Sequence, residues 1–413
     1  MHTLLVEGWP DERDTVVSIQ DDKRSGSDSP ATTPPSSPHS TPPSTPRTSP
    51  AGSSAKLSEA GEPTDTEVLF PSFDDANRFV VTAELGCGGF GRVLAARDGQ
   101  VGELFAIKIG SGVGLANEAK MLKEILKEDP SQQERIAHIR EAFTWKVSET
   151  ITHQCITFSL SAGGSVYDMQ ESAGGGSFHR HTICQLLYQV TTAIAFCHRI
   201  GLVHGDIKPE NMLLGTVTHA MHEQGGIVLK SIELKLADFG CTYVAATLDP
   251  SKYQSGTTVM LAPERLLRLA SGPAGDMWAL GLTLLEWVCG FGTLSPLDAL
   301  SHGEILNTME KLVKEALPEH MRQVALLQCY GFKEPLPCAR GNGDRRWSRR
   351  PVSTMISRSP VKLADGIERL IPYTEPEMRH FQSLGKKLLK LDPARRITST
   401  AVLDSPLFTR GNY

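Results

Sequence analysis

No stretch of this chain approaches the roughly 20 consecutive apolar residues that cross a bilayer. None of its eight cysteines forms a CxxC pair or clusters with histidine at metal-ligand spacing, which argues against a zinc ribbon and for reduced intracellular thiols. Cations are not in excess, since 42 Lys plus Arg stand against 47 Asp plus Glu for a net charge of -5. That balance predicts no general polyanion binding, so nucleic acid is not an expected partner. The opening MHTLLVEGWPDERD lacks a basic lead and an apolar segment long enough for export. A monomer in the nucleus and/or cytoplasm, with no membrane partner, is the expectation.

What is present divides unevenly. Residues 10 to 66 are rich in Ser, Thr, Pro and Asp and poor in aromatics, too polar to offset chain entropy by burial. We therefore expect a disordered tail over residues 1–66. Within it Ser29, Thr33, Ser37, Thr41, Thr45 and Ser49 each precede a proline, at intervals of four. They are either acceptors for an upstream proline-directed kinase, each gaining about -1.5 to -2 charge, or part of a merely soluble tail. Order is expected from 67 to 411, a length that can bury a large core.

The first ordered stretch, FVVTAELGCGGFGRVLAARDGQVGELFAIKIG, reads as two strands about a Gly-rich turn and then a third strand. Gly86, Gly88, Gly89 and Gly91 lie in that turn, and Gly86, Gly88 and Gly91 make G-x-G-x-x-G with Val93 two residues on. Such glycines let backbone N–H groups approach phosphate oxygens. Dinucleotide folds share the spacing but put a helix next, whereas RVLAARD continues as a strand. Lys108, amid the apolar FAIKI, would be costly without anionic partners. Helical spacing in LANEAKMLKEILKE offers two carboxylates, Glu118 and Glu124, of which Glu118 precedes the apolar pair Met121 and Leu122.

ITFSLSAGGSVYDM follows as a buried-type strand ending in a glycine turn, and HTICQLLYQVTTAIAFCHRIG as a long amphipathic helix. That helix leads into HGDIKPENMLL, which sets Asp206, Lys208 and Asn211 within six residues, and LKLADFG then supplies Asp238. Between them GTVTHAMHEQGGIVLKSIE is longer than a simple hairpin needs. Its His219 and His222 read as exposed loop histidines, with a metal site as the alternative. SGTTVMLAPE, GDMWALGLTLLEW and LLKLDPARRIT complete the order, with Arg396 a candidate partner for Glu264 and Asp276 placed to cap the HGD backbone. A basic, Pro/Gly-rich insert at about 331–372 is either a docking surface for acidic or phosphorylated partners or a solvated loop.

Taken together, residues from about 79 to 410 resemble a eukaryotic protein kinase. The C-terminal half is most similar to the LAMMER (Clk) branch of the CMGC group, because GFGTLSP, EILNTMEKL, LPEHM, a basic insert and DPARRIT follow in that order. The LAMMER signature keeps Leu306, Met309 and Glu310, with Lys311 for Arg. The resemblance implies an α+β bilobal fold, a small β-rich lobe at about 79–161 and a larger helical lobe at about 162–411. It implies ATP and Mg2+ as cofactors and protein substrates, Arg/Ser-rich splicing-type ones among them.

By the same resemblance Asp206 would orient the substrate hydroxyl, Lys208 would neutralise the transferring phosphoryl, and Lys108, paired with Glu118, would hold ATP phosphates. Asn211 and Asp238 would hold the metal, hard oxygen ligands for a hard cation. The nucleotide would meet the glycine loop, Val93, Ala106, Leu213 and Phe158, with Ser159 to Ser161 as the hinge. Thr257 falls at the P+1 position, and Ser251, Tyr253, Ser255 and Thr258 are candidate phosphosites. Gly205 stands where many kinases carry an arginine that would bind such a phosphate, so activity without loop phosphorylation is expected. The rival readings are a pseudokinase scaffold, against which Lys108, Asp206, Asn211 and Asp238 all speak, and a divergent kinase secreted by a parasite.

Overall fold

The computed structural model describes residues 72–73, 78–88, 91–110, 113–146, 152–223, 225–246, 255–290, 292–329, 360–362, 368–370 and 373–408. The Ser/Thr-Pro ladder, Gly89, Ser251, Tyr253 and most of the basic insert lie outside them.

The chain opens as β1 (Ser72–Phe73), β2 (Phe79–Gly88), β3 (Gly91–Asp98) and β4 (Leu104–Gly110), then α1 (Val113–Glu128), β5 (Ile139–Lys146) and β6 (Thr152–Ser159). These strands form one sheet ordered β1-β5-β6-β4-β3-β2, antiparallel except for the β1–β5 pair. Side chains alternate across a strand. In β4 that sends Phe105, Ile107 and Ile109 into a small cluster with Phe79, Ala96, Phe143 and Cys155. Ala106 and Lys108 consequently share the opposite face. The register then builds two cross-strand rows there: Gly86, Val93, Lys108 and Ile156, and beside it Ala95, Ala106 and Phe158.

The rest is mainly helical: α2 (Val166–Ser172), α3 (Arg180–Arg199), α4 (Pro263–Leu266), α5 (Pro273–Cys289), α6 (His302–Val313), α7 (Glu319–Gln328), α8 (Glu375–Leu388) and α9 (Ser399–Leu403). In α3, Ile183, Leu186, Leu187, Val190, Ile194 and Cys197 are fully buried at helical spacing. α5 has little polar face, and Trp278 and Trp287 are both fully buried. Burying each such side chain contributes about 1.5–3 kcal/mol, so these two helices form a rigid floor. Short pairs lie on that floor: β7 (Leu202–Val203) with β12 (Tyr243–Val244), and β8 (Met212–Leu214) with β11 (Leu234–Leu236).

The stretch between Asn211 and Asp238 differs from the expected loop. It folds as a hairpin, β9 (Thr218–Met221) with β10 (Ile227–Lys230), with Ile227 and Leu229 buried. The His179 amide donates to Ile227 O at 2.8 Å and the Leu229 amide to Thr182 Oγ1 at 3.0 Å. His222 stacks on His179, ring centroids 4.2 Å apart, while His219 is exposed. Among the described residues no group of three His, Cys, Asp or Glu side chains could hold a metal by itself. A last pair, β13 (Pro360–Lys362) with β14 (Glu368–Leu370), precedes α8.

Candidate active site

The β4 alternation drives the Lys108 ammonium into the lobe interior, where two carboxylates meet it. Glu118 of α1 accepts at 2.6 Å and Asp238 at 2.9 Å. Glu124 instead pairs on the surface with Lys127. Burial works against the charged form of Lys108, but the two carboxylates outweigh it and hold the ammonium above its usual range. One cation facing two anions leaves an excess negative charge. Burial, with Asp238 adding repulsion and Lys108 opposing both, pushes the Glu118 carboxyl up to about 7. Burial would also raise Asp238, yet Lys108 and the Gly240 amide keep it below the ordinary carboxylate range. Asp238 has φ +63°, a left-handed backbone that few non-glycine residues adopt. Such an outlier persists only where the surroundings over-determine it.

The second half of the site follows α3. Asp276, buried in α5, accepts from the His204 and Gly205 amides, each at 2.9 Å, and from His198 Nε2 at 3.0 Å. Burial would raise this carboxyl, but the His198 hydrogen bond and charge keep it low. His204 packs edge-on against Phe239 at 4.8 Å and reaches Ala237 O. The segment is thereby clamped on both sides, and its chemistry-bearing residues converge. Asp206 Oδ1 accepts from the Thr257 amide at 2.8 Å, and Asp206 Oδ2 from Asn211 Nδ2 at 3.2 Å. Lys208 Nζ lies 3.2 Å from Asp206 Oδ2 and donates to Thr257 Oγ1 at 2.7 Å. Among the described residues both side-chain hydrogen bonds of Asn211, to Asp206 O and Oδ2, use its Nδ2. The amide oxygen remains for a hard cation.

Of the glycines, Gly91 is demanded by the fold itself. It has φ +129°, and a Cβ there would lie 2.1 Å from Ile109 O. At Gly86 and Gly88 a side chain would meet nothing within 4 Å, so packing does not explain their being glycine. Val93, Ala106 and Phe158 stand on the Lys108 face of the sheet by register. Met212 and Leu214 are fully buried, so the alternation turns the half-buried Leu213 to the other side.

A sheet carrying one buried lysine over a clamped HGD segment, with two carboxylates and an amide converging from separate elements, is an arrangement for handling phosphate. A family model described as the protein kinase domain matches residues 79–408. The chain belongs to the protein kinase family.

Its relatives narrow the branch. The dual specificity protein kinase lkh1 of Schizosaccharomyces pombe is 29% identical over 83% of this chain and 48% of its own length. The dual specificity protein kinase CLK4 of Mus musculus is 29% identical over 80% of this chain and 66% of its own. The serine/threonine-protein kinase AFC2 of Arabidopsis thaliana is 27% identical over 84% and 80%. The chain thus spans between about half and two thirds of the first two relatives. These matches agree with a divergent LAMMER-like member of the CMGC group. A solved kinase-domain crystal structure shares the fold, with TM-score 0.57 and 21% identity over 83% of this chain and 99% of that one.

One contact had no signal in the kinase sequence pattern. Asn117, next to Glu118, donates to Gly240 O at 3.3 Å and Thr242 O at 2.8 Å and so ties α1 to the turn after Asp238. Nothing local to NEAK distinguishes it from any polar residue on a helix.

Proposed function

We propose that this kinase transfers the γ-phosphoryl group of Mg-ATP to serine and threonine hydroxyls of proteins. The observation that carries this is the convergence of Asp206, Lys208 and Asn211 opposite the Lys108–Glu118–Asp238 cluster. In this reading the substrate hydroxyl oxygen bonds to the γ-phosphorus as the bond to the β–γ bridging oxygen breaks. The proton passes to Asp206, whose carboxylate is already aimed by Thr257 and Asn211. Lys208 offsets charge on the moving phosphoryl, and Lys108 holds phosphate oxygens from the other lobe. The residues present suit magnesium, which binds through one or two carboxylates plus phosphate oxygens. Asp238 and Asn211 would hold it, and when bound it would neutralise charge on the β- and γ-phosphates.

Basic, Arg/Ser-rich segments are the substrate class we favour. Burial and then four carboxylates, Glu171, Glu210, Glu286 and Asp168, raise the Tyr167 phenol beside the catalytic segment. Burial pushes Glu286 itself up to about 7, with Glu210 and Asp298 adding to it. A cationic peptide would relieve that repulsion. Tyrosine as a second acceptor has the names of the S. pombe and mouse relatives behind it, and a nuclear or cytoplasmic setting goes with such substrates.

The test is Mg-ATP phosphorylation of a peptide array holding Pro-directed, Arg-directed and Arg/Ser-rich sequences. We expect transfer, strongest to the basic peptides. Binding of Mg-ATP with transfer to none of them would replace this reading with a pseudokinase scaffold.

A further inference from the structure

Gly205 removes the loop arginine that would receive an activating phosphate, yet the segment ending in Thr257 is docked. The structure supplies the missing cation from elsewhere. Arg265 of α4 is buried, and its guanidinium donates through Nη1 to Gly205 O at 2.5 Å and through Nη2 to Ser255 O. One rigid fork therefore grips the catalytic segment with one prong and the far end of the activation segment with the other. A guanidinium suits this because its coplanar N–H groups serve two acceptors at fixed spacing. Its flat face also lies 6.0 Å from the Tyr243 ring centroid.

The two chains it joins meet backbone to backbone. Gly205 has φ +82°, and a Cβ there would come within 2.6 Å of Cys241 O. Gly256 has φ +115°, and its Cβ would come within 2.8 Å of Gly205 O. An arginine at 205 has no room in this arrangement, so the cation must come from outside the loop. α4 provides a fixed base, because the adjacent Glu264 is held by both terminal nitrogens of Arg396 at 2.6 Å each. What Arg265 steadies is consequential: Thr257, two residues past Ser255, touches both Asp206 and Lys208.

We propose that Arg265 is a positioning residue that takes the place of an arginine–phosphate bridge, holding the Ser255–Gly256–Thr257 turn on Asp206 without modification. The inference rests on the kinase reading above, and the experiment separates the two. Wild-type protein is treated with phosphatase, shown by mass spectrometry to be unphosphorylated, and assayed with the best array peptide beside Arg265→Met and Arg265→Lys. Failure of the wild type even before treatment would reject the kinase reading itself. With an active wild type, we expect the treated enzyme to keep its rate. Arg265→Met should lose about 100-fold in kcat, the scale of a 1 Å misplacement at a reacting centre. Its peptide KM should rise while its ATP KM stays within about twofold, a split that general unfolding does not produce. Arg265→Lys should recover only a minor part, since one ammonium cannot reproduce the fork. Should Arg265→Met not fold, Arg265→Ala assayed with added guanidinium decides: recovery of rate supports the proposal and no recovery overturns it. Loss of wild-type activity on phosphatase treatment, near-wild-type kcat in Arg265→Met, or equal damage to ATP and peptide KM would each overturn it too.

Discussion

Two ion clusters, one inside the helical lobe and one between the lobes, are built from similar groups and balanced differently. In the helical lobe Arg396 and Glu264 form a closed one-to-one pair, with side chains 0% and 2% exposed. Arg396 also donates to the carbonyls of Lys390 and Ala274. Where the sheet lobe meets the helical one, Lys108 faces two carboxylates, and Asp238 keeps 31% of its side chain exposed. The closed pair has every charge answered and nothing left to bind with. The open cluster keeps an unanswered negative charge on a side chain that solvent still reaches. Charge balance, more than burial, thus separates a brace from a site.

The largest expected effect lies in the open cluster. Asp238→Asn should lower turnover by at least about 10³-fold, as loss of a preorganised electrostatic group does, with chemical-denaturation stability close to wild type. Retained turnover would refute the proposal that Asp238 holds metal. The closed pair should behave in the opposite way. Arg396→Met strands Glu264 in the interior and should cost about 3–5 kcal/mol in urea unfolding, while kcat of the folded protein changes by no more than a few-fold. Combining it with Glu264→Leu should recover much of that loss, because no lone charge then remains buried. A double variant as unstable as the single would mean that the Arg396 carbonyl contacts carry the stability.

The smallest effect concerns pH. The folded carboxyls of Glu118 and Glu286 both titrate near 7, above their ordinary value of 4.5. A raised acid contributes fully below the unfolded pKa and loses that contribution as pH rises through the folded one. These two carboxyls should therefore withdraw stability from the unliganded protein between about pH 4.5 and 7.5, against an opposing gain, as pH rises toward about 6.5, from His138, His153 and His179, whose burial lowers their folded pKa values. Glu286→Gln should narrow the drop in Tm across that interval. An unchanged or wider drop would show that Glu286 is ionised throughout.

Much of this was legible beforehand where the physics is local. Lys108 amid the apolar FAIKI called for anionic partners, and HGDIKPEN set Asp206, Lys208 and Asn211 within six residues of one another. The hairpin at 218–230 was not legible. THAM and IVLK are short, and what orders them is the amide of His179 and the hydroxyl of Thr182, both far away in sequence. Asn117 was hidden for the same reason, since its acceptors lie more than 120 residues on. Contacts of that kind depend on the assembled core and leave no periodic trace in either segment.

The Asp276 clamp has a consequence for motion. Surface loops exchange their amide hydrogens quickly through small local openings. The amides of His204 and Gly205 are instead bonded to a carboxylate rooted in α5, among the most deeply buried helices of the fold. In deuterium exchange these two positions should keep pace with the α5 interior and release their protons only when the whole lobe unfolds.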